Sequence, residues 1–145
     1  MDPPADYDDV LVPTDGSNAA MAAAEQAVRF AARNDATLHA LYVMDMGDAA
    51  FVATPSDIAE TRDRLEGKGE EYTAAVEKLA DEAGVLCVRE VRSGTPIEEI
   101  VAYVDEHDVD LVVVGKRGRS DPDKPLLGST TRRVTARLDV PVFTV

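Results

Sequence analysis

The residues with the most chemistry in this sequence lie between positions 115 and 131. Gly115-Lys-Arg-Gly118 is followed by nine residues and then by Gly128-Ser-Thr-Thr131. Two glycines three apart let a backbone approach a ligand closely and adopt conformations closed to other residues. Gly128 opens a predicted helix, whose first turn offers unsatisfied N–H groups and a partial positive charge, a setting suited to an anion. The hydroxyls of Ser129, Thr130 and Thr131 add side-chain donors. Charge agrees with this. Positions 115 to 133 carry Lys116, Arg117, Arg119, Lys124, Arg132 and Arg133 against Asp121 and Asp123, whereas the 145-residue chain has a formal net charge of −13. A basic island in an acidic chain is either a solvated surface run or the seat of an anionic ligand. The glycines of the same window favour a phosphate chain.

This spacing is neither a Walker A loop nor a dinucleotide fingerprint. The first predicted strand, Asp9-Val-Leu-Val-Pro13, leads into Thr14-Asp-Gly-Ser17, and no G-x-G-x-x-G follows it. Further strands are predicted at 37–43, 85–91, 110–115 and 140–145, each a short run rich in β-branched or other apolar residues. Between them lie four predicted helices. The first, Asn18 to Arg33, shows Met21, Ala24, Val28 and Ala32 at spacings of three and four. The second is long and polar and runs from Ser56 to about Ala83, with a kink or break expected at Gly67-Lys-Gly69. The third begins at Thr95-Pro-Ile-Glu98, read as N-cap, N1 proline and capping box, and ends near His107. The fourth runs from Gly128 to about Leu138. Strict alternation of strand and helix implies a single α/β domain over 1–145, doubly wound, with a parallel sheet and helices on both faces. In such sheets ligands bind beyond the carboxyl ends of strands at a switch point. With the first and fourth strands as neighbours there, Pro13, Thr14 and Asp15 face the glycine loop across a crevice. Asp15 can then accept hydrogen bonds from a ribose; as a favoured N-cap it can equally serve the first helix, and so can Ser17.

Composition bounds the rest. Hydrophobic residues make up 45% but aromatics only 5% with no Trp, so the core must be aliphatic. The mean negative field argues against nucleic acid and anionic membrane as partners. No apolar run approaches the ~20 residues of a membrane span, the acidic start lacks signal-peptide character, and Cys87 is alone; together these imply a cytoplasmic protein. Eleven Arg against four Lys on an acid-rich chain suits a high-salt, halophilic interior. Cys87 reads as a small core residue in a buried strand, and His39 and His107 as packing or capping groups. Met44 and Met46 either cover a bound base or fill gaps. No nucleophile–base pairing or metal-ligand spacing appears, which points to a binding protein with at most slow phosphoryl chemistry.

Several segments together resemble the universal stress protein family over nearly the whole chain. They are Val10-Leu-Val-Pro-Thr-Asp-Gly-Ser17, Leu41-Tyr-Val43, Gly94-Thr-Pro96, Asp110 to Ser120 with Leu127-Gly-Ser129, and Val140-Pro-Val142. The glycines and Ser129 fit that family's G-x2-G-x9-G-[S/T] motif. The resemblance implies a five-stranded sheet of order 3-2-1-4-5 and a homodimer joined through the Val140–Val145 edge. It implies membership of the ATP-binding branch, with Gly115, Gly118, Gly128 and Ser129 holding phosphates and ribose, Asp15 holding ribose and the Val43 backbone reading adenine. Such a protein would be a nucleotide-dependent stress-response module. The alternatives are a slow Mg2+-dependent ATP hydrolase or an interaction protein that works without nucleotide. The loop Ser120-Asp-Pro-Asp-Lys-Pro125 departs from the pattern. Its Asp121 and Asp123 either help to hold Mg2+ or form a solvated acidic loop.

Overall fold

Strands that are apolar at every position need cover on both faces, and the two most apolar strands lie at the centre. The computed structural model describes residues 7–46, 54–115, 132–133 and 136–145. Its elements are β1 (Asp9–Pro13), α1 (Asn18–Asn34), β2 (Thr37–Met44), α2 (Pro55–Glu82), β3 (Cys87–Ser93), α3 (Pro96–His107), β4 (Leu111–Val114) and β5 (Val142–Thr144). The sheet is parallel throughout, in the order β3-β2-β1-β4-β5. Residues 132–133 and 136–137 are helical, and the rest of the predicted fourth helix lies outside the described residues.

Alternation along each strand divides the core in two. Val10, Val12, Leu38, Ala40, Leu111 and Val113 face α1 and α2, where Ala24, Ala27, Ala31, Val76 and Ala80 meet them. Leu11, Leu41, Val112 and Val114 face Ile97, Ile100, Tyr103 and Val104 of α3. The buried face of α1 is almost entirely alanine, so its axis can lie close to the sheet.

Several local expectations shift. The long helix starts one residue early, because Thr54 is its N-cap and forms a capping box with Asp57 around Pro55. It also runs unbroken through Gly67 and Gly69. A Cβ on Gly69 would fall 2.6 Å from the Tyr42 ring and 3.0 Å from Val91, so tight packing on the sheet holds the helix there against its propensity. Thr95 does cap α3, but without a side-chain hydrogen bond, so the expected box with Glu98 does not form. β3 begins two residues later than predicted and lies at the sheet edge. Cys87 is therefore half-buried rather than fully buried. Burial first, and then the charges of Glu77 and Asp81, push its thiol up to about 11, so it stays protonated and unreactive at neutral pH.

On the α3 side, His39 of β2 is buried between two partners. Its Nε2 lies 2.8 Å from Asp9 Oδ1 and its Nδ1 lies 2.6 Å from the Tyr103 hydroxyl. Burial, with the charge of Glu90, pushes the Tyr103 hydroxyl up to about 12, so it is a proton donor at neutral pH. In the Nε2–H tautomer of the neutral imidazole, Nδ1 accepts from Tyr103 and Nε2–H donates to the Asp9 carboxylate. His107 stacks on the Tyr103 ring with centroids 3.9 Å apart, and the Arg92 guanidinium lies 5.0 Å from the same ring. β1, β2, β3 and α3 are cross-linked through this one group.

Candidate functional site

The crevice at the switch point begins with a missing hydrogen. Thr14 N–H donates to Leu41 O at 2.9 Å, so even-numbered residues of β1 direct their backbone groups to β2. Asp110 N–H donates to Asp9 O at 2.8 Å, so odd-numbered residues face β4. Pro13 is odd-numbered and has no N–H to offer. The β1–β4 pairing stops at Leu11↔Val112, while the β1–β2 pairing continues to Pro13↔Leu41. Beyond Leu11 the pairing of the two central strands ends, and the carboxyl ends of strands at such a switch point are where doubly wound sheets place a ligand.

The turn from β1 into α1 lies at that end of the sheet. Gly16 adopts φ +77°, a left-handed conformation that a glycine accepts without strain. Side-chain oxygens tie the turn down: Gly16 N–H donates to Thr14 Oγ1 at 3.2 Å, and Ser17 N–H donates to Asp15 Oδ1 at 2.9 Å. Ser17 Oγ accepts from Ala20 N–H at 3.0 Å and is the N-cap of α1. Of the two capping candidates in the sequence, Ser17 takes the role. Asp15 instead shapes the turn ahead of the helix, with its second oxygen, Oδ2, shielded from solvent. Thr14 and Ser17 are buried and Asp15 is half-buried.

Gly115, at the end of β4, packs beside this turn. A Cβ there would lie 2.8 Å from both the carbonyl carbon and the oxygen of Ala19. Only a glycine lets the end of β4 come this close to the first turn of α1. Val43, two residues beyond Leu41 on β2, directs its backbone N–H and C=O to the same side as Leu41, past the end of β1. Pro13, Thr14, Asp15, Val43 and Gly115 thus gather at the carboxyl end of the sheet. Gly118, Gly128, Ser129, Thr130 and Thr131, together with Asp121 and Asp123, lie outside the described residues. Among the described residues no group of three His, Cys, Asp or Glu side chains could hold a metal ion, and no helix is long and apolar enough to cross a membrane. Sequence reasoning missed Tyr72, whose ring lies against Gly16. Its one local signal is membership of the 69–72–76–80 stripe along the buried side of α2.

Strand order and register define a doubly wound α/β domain whose switch point lies between β1 and β4. The family model described as "Universal stress protein family" matches residues 6–145, and the chain belongs to that family. It is 35% identical over 144 residues to a universal stress protein of Methanocaldococcus jannaschii, covering 96% of this chain and 82% of that protein. Among solved structures it is similar to universal stress protein UspA from Lactobacillus plantarum, at 30% identity and TM-score 0.81, covering 97% of this chain and 98% of that one. It is also similar to a universal stress protein crystallised in complex with cAMP, at 27% identity and TM-score 0.71, covering 97% of each chain.

Proposed function

We propose that this chain binds ATP at the β1–β4 crevice and serves, over its whole length as one domain, as a stress-response module whose nucleotide state sets its conformation or partners. The observation that carries this reading is the placement of the Asp15 turn and Gly115 side by side at the carboxyl ends of β1 and β4, where the pairing of these strands has ended at Leu11↔Val112. From Gly115 the chain runs directly into the glycine–hydroxyl motif. In this reading Asp15 accepts from the ribose, the Val43 backbone reads adenine, and Gly115, Gly118, Gly128 and Ser129, with the hydroxyls of Thr130 and Thr131, hold the phosphates. Support from outside the chain comes from the relative solved with cAMP, an adenine nucleotide. Mg2+ would accompany the phosphates, with Asp121 and Asp123 as its nearest carboxylates in sequence. The residues suit a nucleotide in type: Asp15 supplies a half-buried carboxylate at the carboxyl end of the sheet, and the chain beyond Gly115 carries the glycines and hydroxyls.

Titration calorimetry with ATP is expected to show one site per chain, and Asp15→Asn is expected to weaken binding by about tenfold, the loss of one charge-assisted hydrogen bond. Unchanged affinity in Asp15→Asn would remove Asp15 from the site. Hydrolysis is expected to stay below about 1 s⁻¹, the low end of enzyme turnover; faster Mg2+-dependent turnover would make the protein a hydrolase.

The β5 edge is proposed as the homodimer seam, in a cytoplasmic, salt-adapted protein. Phe143 is 48% exposed there, beside a groove of about 400 Å³ lined in part by Phe30 and Val145. Exposed strand edges with apolar side chains favour pairing. A monomer in sedimentation at micromolar concentration and high salt would contradict the seam. Full folding by circular dichroism in salt-free buffer would contradict salt adaptation.

A further inference from the structure

The Asp15 turn is supported from outside its own loop. A Cβ built on Gly16 would fall 2.4 Å from Tyr72 Cε1, 2.5 Å from Cζ and 2.7 Å from Cδ1. The ring of Tyr72 therefore fills the space that a side chain at position 16 would occupy. Tyr42 of β2 meets that ring at a steep angle, with centroids 5.7 Å apart and planes at 66°. The Tyr42 ring in turn packs on the bare backbone of Gly69, one helical turn before Tyr72. Gly16, Tyr72, Tyr42 and Gly69 form a continuous stack from the site, through α2, to the sheet.

This stack has a consequence for binding. Gly16 brings the backbone freedom that a φ of +77° requires, and the same freedom loosens the turn on either side of it. Binding to a loose turn is weakened by the ordering that must accompany it, and rigid support removes that loss. The ring lies directly beside the residue that joins Asp15 to the N-cap of α1. In α2 no residue before Gly69 is fully buried, and Gly69 and Thr73, on either side of Tyr72, are the first two that are.

We propose that Tyr72 is a positioning residue for the nucleotide site. Its ring clamps the 14–17 turn so that Asp15 is held at the crevice, and it links occupancy of the site to helix α2. The inference rests on the nucleotide reading above and deepens it: the regulated output of the site is the order of α2 near Tyr72.

The test compares Tyr72→Phe, which keeps the ring, with Tyr72→Leu, which removes it but still fills apolar space. Tyr72→Phe is expected to bind ATP within about twofold of the wild type and Tyr72→Leu about tenfold more weakly, the scale of a lost preorganisation. Without nucleotide, amides of residues 16–20 in Tyr72→Leu are expected to exchange about tenfold faster, with those of β2 unchanged. In the wild type, ATP is expected to slow exchange across residues 66–76, and in Tyr72→Leu it is not. A folded Tyr72→Leu variant with wild-type affinity and wild-type exchange would overturn the proposal. So would a Tyr72→Phe variant as weak as Tyr72→Leu, because the ring's packing is what is claimed. Should the wild type fail to bind ATP, the nucleotide reading falls. The ligand-free exchange of residues 16–20 still decides whether Tyr72 holds the turn.

Discussion

Gly115→Val is expected to lower the unfolding free energy by about 3 kcal/mol, the upper end of the ordinary overpacking range, and to abolish nucleotide binding. The reason is local and severe. The first added carbon would meet the carbonyl carbon and oxygen of Ala19 at 2.8 Å, and these are backbone atoms of a helix that cannot rotate aside as a side chain can. Either α1 lifts from the sheet or β4 bends away from it. Both movements disturb a core in which Ala20, Ala23, Ala24 and Val114 are at or near zero exposure, and both displace the turn that carries Asp15. Urea denaturation measures the stability change: the midpoint should fall with the slope preserved. Gly67→Ala is the matched control. No atom lies within 4 Å of a Cβ there, so this helical position is expected to gain about 0.5–1 kcal/mol from reduced backbone entropy. A Gly115→Val protein as stable as the wild type would show that β4 and α1 do not meet as described.

His39→Leu is expected to cost about 2–3 kcal/mol, because it leaves the buried Tyr103 hydroxyl without its acceptor and Asp9 without its donor. The effect should depend on its neighbour. Once Tyr103→Phe has removed the hydroxyl, replacing His39 leaves no orphaned phenol on the α3 side, and apolar groups in place of both partners approach neutrality. A double-mutant cycle should therefore return a coupling of about 1–2 kcal/mol between the two positions. Additive losses would mean that each side chain acts by packing alone.

The parts of this molecule legible in its sequence were those written locally. Alternating strand and helix signals reveal the doubly wound class, and β1, α1, β2 and α3 fall within a residue or so of their expected limits. Pro13, Thr14, Asp15 and Gly115 were singled out because turn chemistry and glycine spacing mark the ends of strands, Val43 because of the family resemblance, and all five come to the same end of the sheet. What escaped was set by partners far along the chain. The pairing of His39 with Tyr103 spans 64 positions, and nothing near either residue announces it. Tyr72 looked like one more residue of a polar helix, since its meaning comes from the missing side chain of Gly16. Gly69 was expected to weaken α2, but the rings and methyls facing it need that space, and tertiary packing overrode propensity. β3 was misplaced by two residues because an edge strand carries a weaker burial signal than a central one, and the same weakness made Cys87 look fully buried. At the two helix starts, side-chain capping depended on geometry as well as residue type. Ser17 took the cap where Asp15 was an equal candidate, and Thr95 took its position without the hydrogen bond.

The central claim is that a nucleotide occupies the crevice between β1 and β4. The most direct measurement is to purify the protein from cells, denature it, and identify by mass any small molecule released. The account predicts ATP, or its immediate breakdown products, at close to one per chain from the wild type and a much smaller amount from Gly115→Val. Protein that carries no nucleotide when isolated, and takes up none from millimolar Mg-ATP in equilibrium dialysis, would contradict it.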